Sequence, residues 1–93
     1  MPTFAIHCID KPDSASLRAA TRPDHLAYLD AVVAQLLVAG PLLGLDGAPI
    51  GSLLILDCAD RKAAIQFAAG DPYALAGLFA SVAVTAWRQV YPA

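Results

Sequence analysis

The first apolar stretch of the chain covers residues 3–9 and is rich in β-branched and aromatic side chains. The turn-forming sequence Asp-Lys-Pro-Asp follows it at 10–13. This composition predicts a first strand that ends in a turn. Ser14 is then placed to cap a short helical piece that runs through Thr21.

A second, longer helix is predicted to begin at Pro23, because proline is tolerated in the first turn of a helix. Gly40 and Pro41 are expected to end it. The stripe of apolar residues that predicts this helix recurs at spacings of three and four and extends to about Val38; its members are Leu26, Leu29, Val33, Leu36 and Leu37. This stripe is the predicted core of the domain.

Two strands are predicted next, joined by a hairpin. Leucines at 42, 43 and 45 lead into Asp46-Gly47, the dipeptide most typical of a hairpin turn. A second strand is therefore expected to fold back into a third. Residues 51–58 form a nearly continuous apolar run, which is typical of a strand covered on both faces.

The last part of the chain predicts a helix and a fourth strand. Asp60 is placed to cap a helix that Gly70 ends, and a short helical turn is expected to continue to Gly77. The final strand is expected to contain a bulge or a bend, because its apolar residues do not alternate strictly. These residues are Val82, Val84, Trp87, Val90 and Tyr91.

This order of elements predicts the fold class. Two β-α-β halves joined through a hairpin give an α+β, ferredoxin-like βαββαβ sandwich, with a four-stranded antiparallel sheet and the helices on one of its faces. The first and third strands are the expected inner pair. Ninety-three residues are enough for one such domain and too few for two, so residues 1–93 are expected to form a single domain.

Composition narrows the expected partners. The chain is 58% hydrophobic, yet it contains no apolar stretch long enough to cross a membrane. Because helices would cover only one face of the sheet, the apolar surplus predicts a homodimer that buries the other face. The net charge is −2 and the six basic residues are scattered, so no nucleic-acid partner is expected. The first residues do not resemble a signal peptide, which favours a cytoplasmic location.

The two cysteines, Cys8 and Cys58, are interpreted as small buried hydrophobes, because disulfides are rare in the cytosol. The predicted topology also separates them. His7 beside Cys8 invites a metal site, but neighbouring residues of a strand point to opposite faces and no second pair completes four ligands. No metal is therefore expected.

The predicted topology brings several reactive side chains to one edge of the sheet. This edge is the one at which strands end or begin, and not an outer strand. The end of the first strand, the start of the third strand, the start of the first long helix and the start of the fourth strand all meet there. Six polar or ionisable residues occupy these positions: Asp10, Arg22, His25, Ser52, Asp71 and Tyr73. They are the candidate site, and no cofactor is expected in it.

His25 is the candidate general base of this site. The predicted helix places it in an opening turn, where the macrodipole disfavours the charged imidazolium. Asp71 would orient His25, as the carboxylate does in a His/Asp pair. The alternatives remain open: His25 facing solvent or bonding locally to Asp24, and Asp71 only forming the turn before Pro72.

Two further residues are candidates for holding a small-molecule ligand. Arg22 offers a planar fork for a carboxylate or a phenolate, and a surface ion pair with Asp24 or Asp13 is the structural alternative. Ser52 follows a glycine at the mouth of a strand, where it could bond a ligand or simply begin the strand. No G-x-S-x-G motif makes it a nucleophile.

The chain resembles the YciI-like (YCII-related) family from end to end. The matching motifs are D-K-P-D-S-x-x-L-R at 10–18, R-P-D-H-L-A-Y-L at 22–29, A-G-P-L at 39–42, G-S-L-L-I at 51–55, D-P-Y-A-L-A-G-L-F at 71–79 and V-T-A-W-R at 84–88. The resemblance implies a dimeric α+β barrel whose reactive centre is a His/Asp pair, matched here by His25 and Asp71. His7-Cys8 departs from the family pattern and would reshape the pocket.

The family resemblance implies an activity through a dehydrochlorinase of hydroxylated aromatics and through the fold of muconolactone isomerase. The leading hypothesis is a cofactor-free enzyme, a lyase or an isomerase, that moves protons on a small oxygenated ring compound. The alternative is a dimer that binds or senses a small metabolite without catalysis. A third hypothesis is an accessory subunit whose apolar patch docks on a larger enzyme, and it predicts no pocket at the shared edge.

Overall fold

A computed structural model describes residues 1–93 and shows four strands and three helices. In chain order these are β1 (Thr3–Asp10), α1 (Ala15–Asp30), β2 (Leu36–Leu43), β3 (Pro49–Asp57), α2 (Arg61–Gly70), α3 (Pro72–Leu75) and β4 (Phe79–Trp87). The strands form one antiparallel sheet in the order β2-β3-β1-β4. The ferredoxin-like α+β fold is confirmed, and so is the inner pair of first and third strands.

The core lies between the sheet and the helices. Alternate residues of β1 and β3 face the helices and are buried there, and Leu29 of α1 and Ala68 of α2 pack against them. The other face of the sheet carries no helix. None of the three helices has the length and apolarity that crossing a membrane requires.

The first helix differs from the prediction, because α1 runs without interruption through Pro23. Two helical pieces separated near Thr21 were expected, and this expectation is wrong. A proline inside a helix removes one backbone hydrogen bond, here the one that would reach the carbonyl of Ala19. Both Ala19 and Pro23 are exposed, so water can satisfy that carbonyl. The opposite face of α1 packs against the core, and the helix continues through the proline.

The end of α1 was also predicted wrongly. The helix stops at Asp30, and Leu36, Leu37 and Val38 belong to β2 instead. Spacings of three and four residues cannot tell a helix from a strand when the apolar run is short. The neighbouring Gly40-Pro41 pair does not end a helix but lies inside β2. Because β2 is an edge strand, a proline there breaks no ladder between two neighbours.

The hairpin and the second helix are confirmed. Gly44 donates to the carbonyl of Ala48, and Gly47 adopts a positive φ of 84°, which glycine allows at little cost. The Asp60 carboxylate accepts a hydrogen bond from the backbone of Ala63 at 2.8 Å and so caps α2.

The fourth strand is shorter at its end than expected. It stops at Trp87, so Val90 and Tyr91 lie outside it and are exposed. An irregularity in pairing does occur, but at the start of the strand, where the register shifts between Ile9 and Asp10 on the partner strand β1. This shift lies at the sheet edge where the candidate site residues meet.

Gly51 in β3 is required by a close approach of two backbones. A Cβ atom at this position would lie 2.2 Å from the carbonyl oxygen of Cys8. We expect Gly51→Ala to lower the free energy of unfolding by at least about 1–3 kcal/mol, because the central strands must move apart. Urea denaturation followed by circular dichroism measures the change.

Gly40→Ala is the matched control, since Gly40 also lies in a strand but has no atom within 4 Å of a built Cβ. Its unfolding free energy is expected to change by less than about 1 kcal/mol. Equal stability of the two variants would show that the strands tolerate a side chain at Gly51.

Candidate functional site

The site is built on one face of α1. The residues of this helix that are buried are Arg18, His25 and Leu29, spaced by seven and by four. These spacings place residues one above another on a helix. The uninterrupted course of α1 therefore presents a guanidinium and an imidazole to the same edge of the sheet.

His25 and Asp71 form a buried pair. His25 Nδ1 lies 2.9 Å from Asp71 Oδ1 and 3.0 Å from Oδ2. The two residues are 8% and 3% exposed. Asp71 is fixed in place because Oδ1 also accepts the backbone N–H of Tyr73 at 2.9 Å, as the cap of α3. The carboxylate thus forms the turn before Pro72 and bonds His25 at the same time.

This pairing determines the chemistry open to the imidazole. A carboxylate only accepts hydrogen bonds, so the neutral ring carries its hydrogen on Nδ1, facing Asp71. Nε2 then holds the free lone pair. A histidine oriented in this way can take a proton at Nε2 while the carboxylate stabilises the resulting charge.

One argument for His25 is corrected by the structure. His25 was expected in the opening turn of a helix, where the macrodipole acts on its charge. Because α1 begins at Ala15, His25 lies more than two turns from the helix start. The dipole at that end does not reach it, since the effect is confined to the first turn. Asp71, rather than the helix terminus, is the group that acts on the imidazole.

Tyr73 links the two halves of the site. Its ring stacks on His25 with centroids 4.0 Å apart and meets Phe79 edge-on at 6.0 Å. The guanidinium of Arg18 lies over the same ring, 4.6 Å from its centroid. Burial raises the pKa of the Tyr73 hydroxyl, and the charges of Arg18 and Arg22 offset only part of that shift. Tyr73 is therefore a neutral phenol that can donate a hydrogen bond.

Arg18 is the residue of the site that the sequence analysis missed. It donates from Nε to Asp10 Oδ2 at 2.7 Å and from Nη2 to Asp10 Oδ1 at 3.1 Å. Nη2 also donates to Ser52 Oγ at 2.8 Å. Two predicted site residues, Asp10 and Ser52, are thus brought together by a third residue that was not predicted.

The charge of Arg18 is secure in this setting. Burial lowers the pKa of Arg18, but its hydrogen bond with Asp10 and the charge of Asp10 outweigh this effect and raise the pKa above its ordinary value. A signal for Arg18 was present in the sequence, because it lies two helical turns before His25. The predicted break near Thr21 placed the two residues in separate helices and concealed that relation.

Arg22 lies at the mouth of the site and is exposed. It forms no ion pair with Asp13 or Asp24, since the one ion pair between an arginine and a carboxylate is Arg18–Asp10. Arg22 and Arg18 line one cavity between α1 and β2. Its guanidinium is therefore free to meet a ligand.

Cys8 lies beneath this network. It is 2% exposed and pairs with Ser52 in the β1–β3 ladder, whereas Cys58 lies beyond the other end of the sheet. Both thiols are free. Burial, and then the charges of Asp71 and Asp10, raise the pKa of Cys8 to about 12. The thiol therefore stays neutral and adds no charge to the floor of the site.

The fold and the buried pair define an α+β protein with a buried histidine–aspartate pair at one edge of its sheet, and sequence comparison gives its family. The pattern described as the YCII-related domain matches residues 3–88. Protein YciI of Escherichia coli O6:H1 is 35% identical over 96 residues, which cover 95% of this chain and 98% of that protein. A protein of Haemophilus influenzae is 34% identical over 96 residues, which cover 95% of this chain and 98% of that protein. The chain belongs to the YCII-related family.

Solved structures agree with this assignment. The 5-chloro-2-hydroxyhydroquinone dehydrochlorinase of Burkholderia phenoliruptrix AC1100, in complex with 2,5-dihydroxybenzoquinone, matches with a TM-score of 0.89 and 35% identity, covering 94% of each chain. An antibiotic biosynthesis monooxygenase matches with a TM-score of 0.58 at 11% identity, covering 97% of this chain and 99% of that one. The second likeness shows the fold alone.

The state of Cys8 predicts its reactivity. Because burial raises the pKa of Cys8 to about 12, very little of the thiol is thiolate at about pH 8, and the thiolate is the reactive form. We expect iodoacetamide to modify the more exposed Cys58 well before Cys8 in the native protein. Peptide mass spectrometry at timed intervals measures both rates.

A sample unfolded in urea is the control, and there the two thiols should react at similar rates. Rapid native labelling of Cys8 would contradict the buried, neutral thiol described above.

Proposed function

We propose that this protein is a cofactor-independent enzyme that transfers protons on a small oxygenated ring compound, in an elimination of the dehydrochlorinase type or an isomerisation. The observation that carries the proposal is the buried His25–Asp71 pair, with Nδ1 held by the carboxylate and Nε2 free. An imidazole oriented by a carboxylate is an arrangement that serves general acid–base catalysis in many enzymes.

The proposed elimination uses His25 twice. Nε2 takes the proton of a ring hydroxyl, and the imidazolium then gives that proton to the ring carbon that carries the halogen. The free Nε2 next takes the proton of a second hydroxyl, the halide leaves with the electrons of its bond to carbon, and both oxygens become carbonyls. The sum is the loss of one hydrogen halide, so the reaction needs no oxidant or reductant.

The substrate class is supported by the relative with known chemistry. The Burkholderia enzyme is a dehydrochlorinase of a chlorinated hydroxyhydroquinone, and it is 35% identical over 94% of this chain. Its complex with a dihydroxybenzoquinone shows that this architecture accepts a flat, oxygenated ring. We extend that class of ring, though not the individual compound, to the present protein.

The other candidate residues take roles that follow from their contacts. Arg22 is free and lines a cavity, so it is proposed to contact the substrate. Tyr73 is proposed to support the substrate and to hold the imidazole by stacking. Asp10 and Ser52 bond Arg18, so their part in substrate binding is proposed to be indirect, through that guanidinium.

Chloride release from 5-chloro-2-hydroxyhydroquinone under nitrogen tests the proposal. We expect His25→Ala to lower kcat/KM on the order of 10²- to 10⁴-fold, the usual contribution of a general base. Asp71→Asn is expected to lower it on the order of 10²-fold or more, because an amide no longer fixes the Nδ1 tautomer. The wild type and the same variants are then screened against related hydroxylated rings and lactones.

Asp24→Asn is the matched control, since Asp24 neighbours His25 in sequence but is exposed, and its activity should equal that of the wild type. Wild-type protein that binds the ring tightly without turning it over would contradict catalysis. That result would favour the alternative function, a dimer that binds or senses a small metabolite.

We also propose that the protein is a homodimer in which two copies pack through the uncovered face of the sheet. The ladder register places mainly apolar residues on that face: Ala5, Val38, Leu42, Leu53, Ile55, Ala83 and Trp87. No helix covers them, and Val38 is 60% exposed. An apolar sheet face of this extent is a typical protein–protein contact.

Light scattering after size exclusion tests the dimer. The chain has a mass of 9.7 kDa, and we expect twice that mass for the wild type. Leu53→Asp is expected to give the monomer, because it puts a charge in the centre of the apolar face. Leu45→Asp is the control, since Leu45 is fully exposed on the hairpin and should leave the dimer intact. A wild-type monomer would contradict the proposal.

A further inference from the structure

A cavity of about 340 Å³ opens between α1 and β2, next to the site described above. Its walls are largely apolar and include Leu26 and Leu29 of α1 and Pro41 of β2. The ionisable groups that line it are two arginines, Arg18 and Arg22, and no carboxylate lines it. The cavity therefore combines an apolar surface with positive charge. Its volume is at the lower end of ligand pockets and suits a single ring.

Arg18 presents unused hydrogen-bond donors at this cavity. A guanidinium carries five N–H groups, and the bonds to Asp10 and Ser52 use the one on Nε and the two on Nη2. Nη1 donates to neither of these residues, and the Tyr73 hydroxyl is the other polar group beside the guanidinium. Every side-chain nitrogen and oxygen that is fully buried has a partner, so Nη1 must be accessible. The side chain is only 10% exposed and it lines the cavity, so we assign these two N–H groups as the donors for a ligand there.

The fixed orientation of this fork matters for recognition. Asp10 and Ser52 hold the guanidinium plane before a ligand arrives, so little conformational entropy is lost on binding. Asp10 also balances the charge of Arg18, which leaves the exposed Arg22 as the unpaired positive charge of the cavity. Together they can meet one negative oxygen, with directed hydrogen bonds from Arg18 and the net charge from Arg22.

We infer that this cavity binds a single-ring oxyanion, the ionised form of a ring hydroxyl, and that Arg18 is the residue that sets the preference for the ionised form. The inference rests on the proposed function for the identity of the ring and deepens it. His25 does not line this cavity, so the inference concerns the binding of an oxygen that is already ionised. Arg18 is the preformed hydrogen-bond donor for that oxygen, and Arg22 adds the net positive charge.

Calorimetric titration with two quinones tests the inference. The first is 2,5-dihydroxybenzoquinone, an acidic enol that is ionised at neutral pH, and the second is 2,5-dimethoxybenzoquinone, which keeps the ring but has no ionisable hydroxyl. We expect the wild type to bind the ionised quinone at least 10-fold more tightly. The double variant Arg18→Met/Asp10→Asn is expected to lose that preference by on the order of 10- to 100-fold, while its affinity for the dimethoxy compound changes little.

The double variant removes both charges so that no carboxylate stays buried without a partner. Should it fail to fold by circular dichroism, Arg18→Lys keeps a positive charge for Asp10 but lacks the planar fork. Its preference for the ionised quinone is expected to fall on the order of 10-fold. Unchanged preference in a folded variant, or equal affinity of the wild type for both quinones, would overturn the inference.

His25→Ala separates this inference from the proposed function. The variant should lose turnover yet keep the preference for the ionised quinone, because Arg18 is intact. If the wild type shows no turnover of any ring while binding still depends on Arg18, the catalytic proposal fails and the anion site stands. If turnover depends on His25 but binding is indifferent to Arg18, the anion site fails and the catalytic proposal stands.

Discussion

Two buried carboxylates determine how helix α1 packs in this small protein. Asp10 and Asp71 lie at the same edge of the sheet with almost no access to water, so each needs a donor to offset the loss of hydration. Helix α1 supplies both donors, Arg18 to the first carboxylate and His25 to the second. These two contacts tie the helix to the rest of the fold. The same two contacts form the candidate site.

This coupling explains why structure and chemistry are hard to separate here. A buried ion pair contributes little net stability against an apolar substitute, but removal of one partner leaves an unmatched charge. Asp71 also caps α3 through the backbone of Tyr73, so its carboxylate serves the fold and the imidazole together. Tyr73 then stacks on His25 and lies beneath Arg18, which makes the two pairs one packed unit.

Much of this arrangement could be predicted from the sequence. The hairpin at Asp46-Gly47, the cap at Asp60 and the apolar third strand each carry a local signal that tertiary contacts did not override. The meeting of His25 and Asp71 followed from topology, because that argument depends on the order of the elements and tolerates errors in their bounds. Its agreement with the structure did not require the correct helix start.

The errors arose where local rules and tertiary packing disagree. Pro23 is typical of a helix start, but α1 continues through it because the other face of the helix is packed. That error hid Arg18, whose relation to His25 exists only on a continuous helix. The Gly40-Pro41 pair is typical of a helix end, but it also fits in an edge strand such as β2. The sequence also could not show that Asp10 and Ser52 face a guanidinium, since this contact joins three distant segments.

The proline in β2 has a consequence beyond its own strand. An edge strand exposes backbone amides that another sheet can pair with, which is how many β proteins begin to aggregate. Pro41 has no amide hydrogen, and it lies within β2, an edge strand of the sheet. It leaves a gap in the amide donors with which another strand could pair. Addition of a strand at β2 is therefore disfavoured. This protects a chain rich in apolar residues from aggregating through its edge strand.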